Sequence, residues 1–208
     1  MLLLALPELL AERGLKITGV LHLGAHRCEE LDLYRRLGVP EANIVWVEAN
    51  PQLAAEQPHV HNVLIGEVDD QLLPFHVASD TECSSLCEFG THRESYPEVE
   101  ETATLKLRTV TVDTFLARKK LTQLPLNLVT IHLQGAELQA LRGMPQLLAN
   151  VSALYMKVAT VEIYRGCVLL PALDLYLEAR GFQRVVTALT FENWGDALYL
   201  RTSPVSTQ

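Results

Sequence analysis

The tightest constraint on this chain is Val20-Leu21-His22-Leu23-Gly24-Ala25-His26-Arg27-Cys28-Glu29-Glu30, an apolar run followed by a lone glycine and a helix-like segment. Read as strand, tight turn and helix, it predicts a ligand cradle. Free backbone N–H groups face outward where the carboxyl end of a strand meets the start of a helix. About twenty residues on, Ile44-Val45-Trp46-Val47-Glu48 is a second apolar run closed by a carboxylate, the spacing of an acid that accepts two hydrogen bonds from a ribose diol at the neighbouring strand end. Gly24 has no G-x-G-x-x-G around it. The motif points to a nucleoside ligand and goes no further.

The remaining periodicities alternate between strand and helix. Glu29 to Leu37 carries Leu31, Leu33, Tyr34 and Leu37 and stops at Gly38 and Pro40, as a helix does. Asn50-Pro51 opens another short helix, and Asn62 to Gly66 reads as a third strand. Leu72 to Ala78 and Leu105 to Val110 read as a pair of extra strands within an inserted region, 72–110. Between them, Ser79 to Glu101 is polar, with Ser84, Ser85, His92 and Tyr96. Loops of this kind beside a pocket commonly carry substrate contacts. Val112 to Lys119 predicts a helix capped by Thr111 or Asp113. A buried strand, Leu126 to Leu133, then leads through Gln134-Gly135-Ala136-Glu137 into a helix broken near Gly143 and Pro145. Ala153 to Val158 is a fifth strand, Leu169 to Ala179 a helix, and Phe182 to Thr187 with Ala197 to Leu200 a closing hairpin. Strands alternating with helices predict a single doubly wound α/β domain, mostly parallel, over residues 1–208.

Composition narrows the function classes. A net charge of −8 argues against a broad nucleic-acid surface, which needs clustered Lys and Arg. Leu3, Leu6, Leu9 and Leu10 fall at helical spacing, predicting an amphipathic helix within segment 1–18 that ends at Gly14. Pro7 and Glu8 interrupt the run before it resembles a signal peptide, and no stretch is long enough to span a membrane. The expected location is the cytoplasm. That N-terminal helix can pack on its own sheet or on a twin. Cys28, Cys83, Cys87 and Cys167 form no disulfide framework. Cys83, Cys87 and His92 are a weak zinc pattern, so reduced thiols are expected and no metal is assigned.

Taken in order, several pieces resemble the FkbM-type methyltransferases. They are Leu21-His22-Leu23-Gly24-Ala25-His26, Trp46-Val47-Glu48-Ala49-Asn50-Pro51, Val112-Asp113-Thr114-Phe115-Leu116 and Ile131-His132-Leu133-Gln134-Gly135-Ala136-Glu137-Leu138 with Leu141-Arg142-Gly143. Glu162 to Cys167, Gly181-Phe182 and Trp194 to Tyr199 complete the set. The resemblance implies a Rossmann-like seven-stranded sheet of the class I methyltransferase kind, with S-adenosylmethionine as cofactor. It implies that the turn at Gly24, Ala25 and His26, with His22 and Asn50 nearby, holds the cofactor, and that Glu48 binds its ribose. It further implies O-methylation of a hydroxyl on a small polar, sugar-like substrate. The base is expected to be His132, with Glu137 supporting the site or capping its helix.

The chain departs from the family at Cys28, Thr130, His132 and Lys157, the last two replacing acids. A charge reversal at about 5 Å is worth on the order of 1–3 kcal/mol at an effective dielectric of about 20–60. As cations, His132 and Lys157 would disfavour a cofactor carrying a sulfonium and an ammonium. A catalytically degenerate fold that serves as a binding or assembly module is therefore the alternative reading. In the strand order 3-2-1-4-5, His22 and His132 come within reach of one another, as a metal pair, a proton relay, or two separately bonded rings. Cys28 stands at a helix start, where a thiol pKa can fall. Trp194 is expected to pack on the final hairpin.

Overall fold

In the computed structural model, which describes residues 4–202, the apolar runs become the middle of a sheet covered on both sides. The chain runs α1 (Leu6–Glu12), β1 (Val20–Leu23), α2 (Leu31–Arg36), β2 (Ile44–Glu48), α3 (Pro51–Glu56), β3 (Val60–Asn62) and β4 (Leu64–Ile65). Next come β5 (Leu72–Ala78), α4 (His92–Ser95), β6 (Glu101–Val110), α5 (Val112–Arg118) and β7 (Leu128–Ile131). After these follow α6 (Glu137–Arg142), α7 (Pro145–Leu148), β8 (Ala153–Ala159), α8 (Leu170–Glu178), β9 (Phe182–Leu189) and β10 (Trp194–Arg201). The main sheet has seven strands in the order β3-β2-β1-β7-β8-β10-β9. Pairing is parallel from β3 to β8, and β10 runs antiparallel to both β8 and β9. The expected closing hairpin thus lies inside the sheet's edge order, with β10 between β8 and β9.

Every residue of β1, β2 and β7 is buried, because helices cover both faces and strands in that setting read as unbroken apolar runs. Val20, Ile44, Leu128 and Ala153 share one core with Leu6 and Leu10 of α1 and Leu33 and Tyr34 of α2. Their chain neighbours Leu21, Val45, Val129 and Leu154 share the opposite core with Phe115, Leu141, Leu173 and Leu177. This is the period-2 alternation of a strand. A helix of 7 residues has no stability of its own. Leu6 and Leu10, fully buried, hold α1 to its own sheet through roughly 1.5–3 kcal/mol apiece. Leu3 of the anticipated stripe lies outside the described residues.

The expected third strand is divided. Val60–Asn62 continues the main sheet, whereas Leu64–Ile65 pairs with β6 in a second sheet of order β4-β6-β5. The Asn62 amide nitrogen donates to the carbonyls of Glu48 and Ala49, which closes the end of β2 and turns the chain away. β5 and β6 pair antiparallel, as their alternation predicts. Of the two caps offered for α5, Thr111 accepts from Thr114 N, while Asp113 accepts from Gln146 N and Leu147 N and so caps α7 instead.

Candidate functional site

The carboxyl ends of β1, β2, β7 and β8 open into a cavity of about 480 Å³, the size class of small-molecule and cofactor sites. Gly24, Ala25, His26, Glu48, His132 and Lys157 all line it. Its position follows from the topology: open α/β sheets bind ligands beyond their carboxyl ends, where the winding reverses. Here that reversal falls between β1 and β7.

The first turn is wired internally. Gly24 N and Ala25 N both donate to the Val47 carbonyl at 2.9 Å. His26 N donates to Glu48 Oε2 at 2.9 Å and Asn50 N to Glu48 Oε1 at 2.7 Å. Arg27 N is held by Glu29 and Cys28 N by the Ala25 carbonyl. The outward-facing amides expected of a cradle are therefore already engaged across to β2. Glu48 is buried, which pushes its carboxyl pKa up against the pull of those two amides. Each of its oxygens keeps a lone pair beside the cavity. Asn50 does not border the cavity; its side chain accepts from Gln52 N and caps α3.

Gly24 has a structural reason of its own. At φ +81, a Cβ there would stand 2.0 Å from the His132 carbonyl, so only glycine lets the β1 and β7 turns approach this closely. The second turn mirrors the first: Glu137, buried, accepts from Leu133 N and Gly135 N. Its carboxylate braces the turn in the manner of a cap. His26, Cys28 and Gln134 adopt left-handed φ values of 46°, 63° and 53°. Non-glycine residues held this way cluster at ligand sites, where surrounding contacts enforce them.

His22 lies beneath the cavity and not in its wall. It is fully buried, with Nδ1 at 2.9 Å from the Tyr34 hydroxyl, which donates onward to Thr130 Oγ1. Burial pushes its pKa down to about 3, so the ring is neutral. His132 packs edge-on against it, ring centres 5.2 Å apart. Glu30 lies between the two, its oxygens 3.8 Å from His22 Nδ1 and 3.9 Å from His132 Nδ1. These contacts are longer than hydrogen bonds. Burial raises the Glu30 pKa to about 7 and lowers that of His132 well below its ordinary value. Nothing in the sequence singled out Glu30. Its place between two histidines depends on the turn that brings α2 back over β1 and β7.

The thiols behave differently from expectation. Burial, with Glu29, Glu30 and Glu48 nearby, pushes the Cys28 pKa up to about 12, where a helix start alone would lower it. Among the described residues, Cys83, Cys87 and His92 do not converge as metal ligands. All four cysteines are free thiols.

A second cavity of about 380 Å³ adjoins the first, sharing Glu82, Gln134 and Lys157 with it. The polar loop of the sequence supplies much of its wall through His92 and Tyr96. Trp194, expected to serve the hairpin alone, borders this cavity too. Its indole N–H donates to the Tyr96 hydroxyl at 3.0 Å.

The family described as the methyltransferase FkbM domain matches residues 22–184. The chain belongs to the FkbM methyltransferase family. No curated protein matches it. Among solved structures, magnesium protoporphyrin IX methyltransferase (ChlM) from Synechocystis PCC 6803 with bound SAM is 12% identical, with a TM-score of 0.47 over 95% of this chain and 76% of that one. Sp1610 of Streptococcus pneumoniae, a putative tRNA (m1A22) methyltransferase, is 13% identical, with a TM-score of 0.46 over 99% and 73%. Similarity this distant says nothing of what the present chain binds.

The FkbM domain thus carries the anticipated Rossmann-like seven-stranded sheet, and no helix among its described residues is long and apolar enough to cross a membrane. Of the two positions at which an acid was expected, His132 is held neutral by burial. Glu29, Glu30, Asp32, Glu48 and Glu82 line the same cavity as the two cations Arg36 and Lys157. The crevice is acidic, contrary to the expectation of a cation-repelling site built from His132 and Lys157.

Proposed function

We propose that this FkbM domain is an S-adenosylmethionine-dependent methyltransferase that transfers to a hydroxyl of a small molecule. The observation that carries the reading is a single cavity bordered by the Glu48 carboxylate at the end of β2 and the neutral imidazole of His132 at the end of β7. The fit is chemical. Glu48 keeps lone pairs for a ribose diol, and the acidic wall suits a ligand bearing an ammonium and a sulfonium. With the turn amides engaged, the cofactor's carboxylate would turn to a side-chain cation, and Arg36 in that wall offers one.

When bound, the cofactor supplies an electrophilic methyl group. The chain's part is to bind, to orient the hydroxyl in line, and to take its proton. Only an unprotonated ring can accept that proton, and desolvation keeps His132 in that form at neutral pH. Glu137 contributes by bracing the turn that aims His132. Gly24, Ala25 and His26 shape the floor of the site, and His22 supports it from below. The degenerate-module alternative drew on cationic repulsion at His132 and Lys157; a neutral imidazole removes the first of these, and the carboxylates of the wall offset the second.

Calorimetric titration with S-adenosylmethionine and with S-adenosylhomocysteine tests this reading. Micromolar binding of both is expected, weakened at least tenfold in Glu48→Ala and less in Glu48→Gln, which keeps the turn's hydrogen bonds in part. No binding of either at millimolar ligand overturns it.

A further inference from the structure

The second cavity is walled by flat rings and aliphatic side chains, with Asp80, Glu82, Glu98, Gln134 and Glu137 among its polar lining. The polar heads of Trp194 and Tyr164 have partners, whereas His92 Nδ1 has none. Trp194 donates to Tyr96, and the Tyr164 hydroxyl donates to the Cys83 carbonyl at 3.2 Å. His92 lies 5.0 Å from Tyr96 and 5.5 Å from Tyr164, ring centre to ring centre. Val158 and Ile163 fill the spaces between. At the joint with the first cavity stands Lys157, its ammonium 4.5 Å above the Trp194 ring. Glu30 and Glu137 act on its charge from beyond contact distance. A lysine resting on an indole face and shared by two cavities is a cation placed to meet an oxygen that enters from the apolar side.

We propose that this cavity seats a neutral aromatic acceptor bearing an acidic hydroxyl, a phenol, with that hydroxyl against Lys157 Nζ. Its role as methyl acceptor rests on the transfer reading above; its binding rests on the cavity alone. Three features select this class. Rings prefer apolar, aromatic walls. Asp80, Glu82, Glu98 and Glu137 also line the cavity and disfavour a ligand that arrives as an anion, whereas a phenol arrives neutral and meets the Lys157 ammonium with its hydroxyl. A phenol has a pKa of about 10, so a neighbouring ammonium brings it toward ionisation near neutral pH, which it cannot do for an alkyl alcohol. The transfer then balances. The hydroxyl proton goes to His132, the oxygen bonds the methyl carbon, and the sulfur of the donor keeps the electron pair of the broken bond.

The test uses a nitrophenol, whose phenol and phenolate forms absorb at different wavelengths, titrated into the whole protein with and without S-adenosylhomocysteine. The bound probe is expected to ionise at least one pH unit lower than the free probe. Lys157→Gln should remove the shift, Lys157→Arg should retain it, and nitrobenzene should bind both variants alike. An unshifted probe, or a methyl glycoside bound as tightly as the nitrophenol, overturns the inference. If the probe binds and shifts while S-adenosylhomocysteine does not bind, the phenol site stands and the methyl-transfer reading falls. If S-adenosylhomocysteine binds and the probe does not, the reverse holds.

Discussion

Glu30 is a carboxyl group that burial holds near pH 7, against an ordinary value of 4.5. Between those two values the folded chain keeps a proton that the unfolded chain has released, so stability falls as pH rises from about 4.5 to about 7 and is level above. The 2.5-unit gap corresponds to a loss on the order of 3 kcal/mol. Glu30→Gln, which cannot ionise, is expected to flatten this limb and to exceed the parent in stability at pH 8, read by urea unfolding at several pH values. A parent curve that is already flat across that window would remove Glu30 from the account. Burial likewise explains why the histidine at position 132 does not bring a charge into the crevice. Residue type was plain in the sequence. Ionisation state was not, because desolvation depends on how many atoms surround a group in three dimensions.

The short helices and turns of this domain are fixed by side chains that reach out of their own segment. Asp113 begins α5 yet caps α7 through Gln146 N and Leu147 N. Its replacement by alanine is expected to cost about 1 kcal/mol, up to about 2, as capping residues do. Denaturant unfolding measures this, and Thr111→Ala gives the matching loss for the cap of α5 itself. Periodicity found β1, β2, β7, β8, β9 and β10 of the main sheet and most helices, because a buried parallel sheet announces itself as short apolar runs between breakers. It did not find β3. It misread 62–66 as one strand, since the switch of Leu64–Ile65 into the second sheet is decided by a partner strand more than forty residues away. Capping was readable as a pair of options and resolved only when α5 and α7 came together.

Across the whole molecule, the crevice lies between the carboxyl ends of the main sheet and the inserted loop that descends from β5 and β6. Ser85 donates to the Gln134 carbonyl at 2.7 Å, and Phe89 bridges to Tyr164. A ligand in the first cavity touches both parts, so it should stabilise the domain as one unit. S-adenosylhomocysteine at a hundredfold excess over its dissociation constant is expected to add about 2.7 kcal/mol. For a chain of this length that raises the melting temperature by roughly 2–4 °C per kcal/mol, which differential scanning fluorimetry reads directly. The strand–turn–helix with Gly24, the acid at Glu48, the order of elements and the family all stood in the linear chain, because each is a local pattern of three to six residues. The folded chain was needed to show that the turn amides bond to Val47 and Glu48, that Glu30 stands between His22 and His132, and that Lys157 lies on Trp194. Those contacts join residues up to about a hundred positions apart. Hydrogen bonds and burial between such distant segments leave no periodic trace in a sequence.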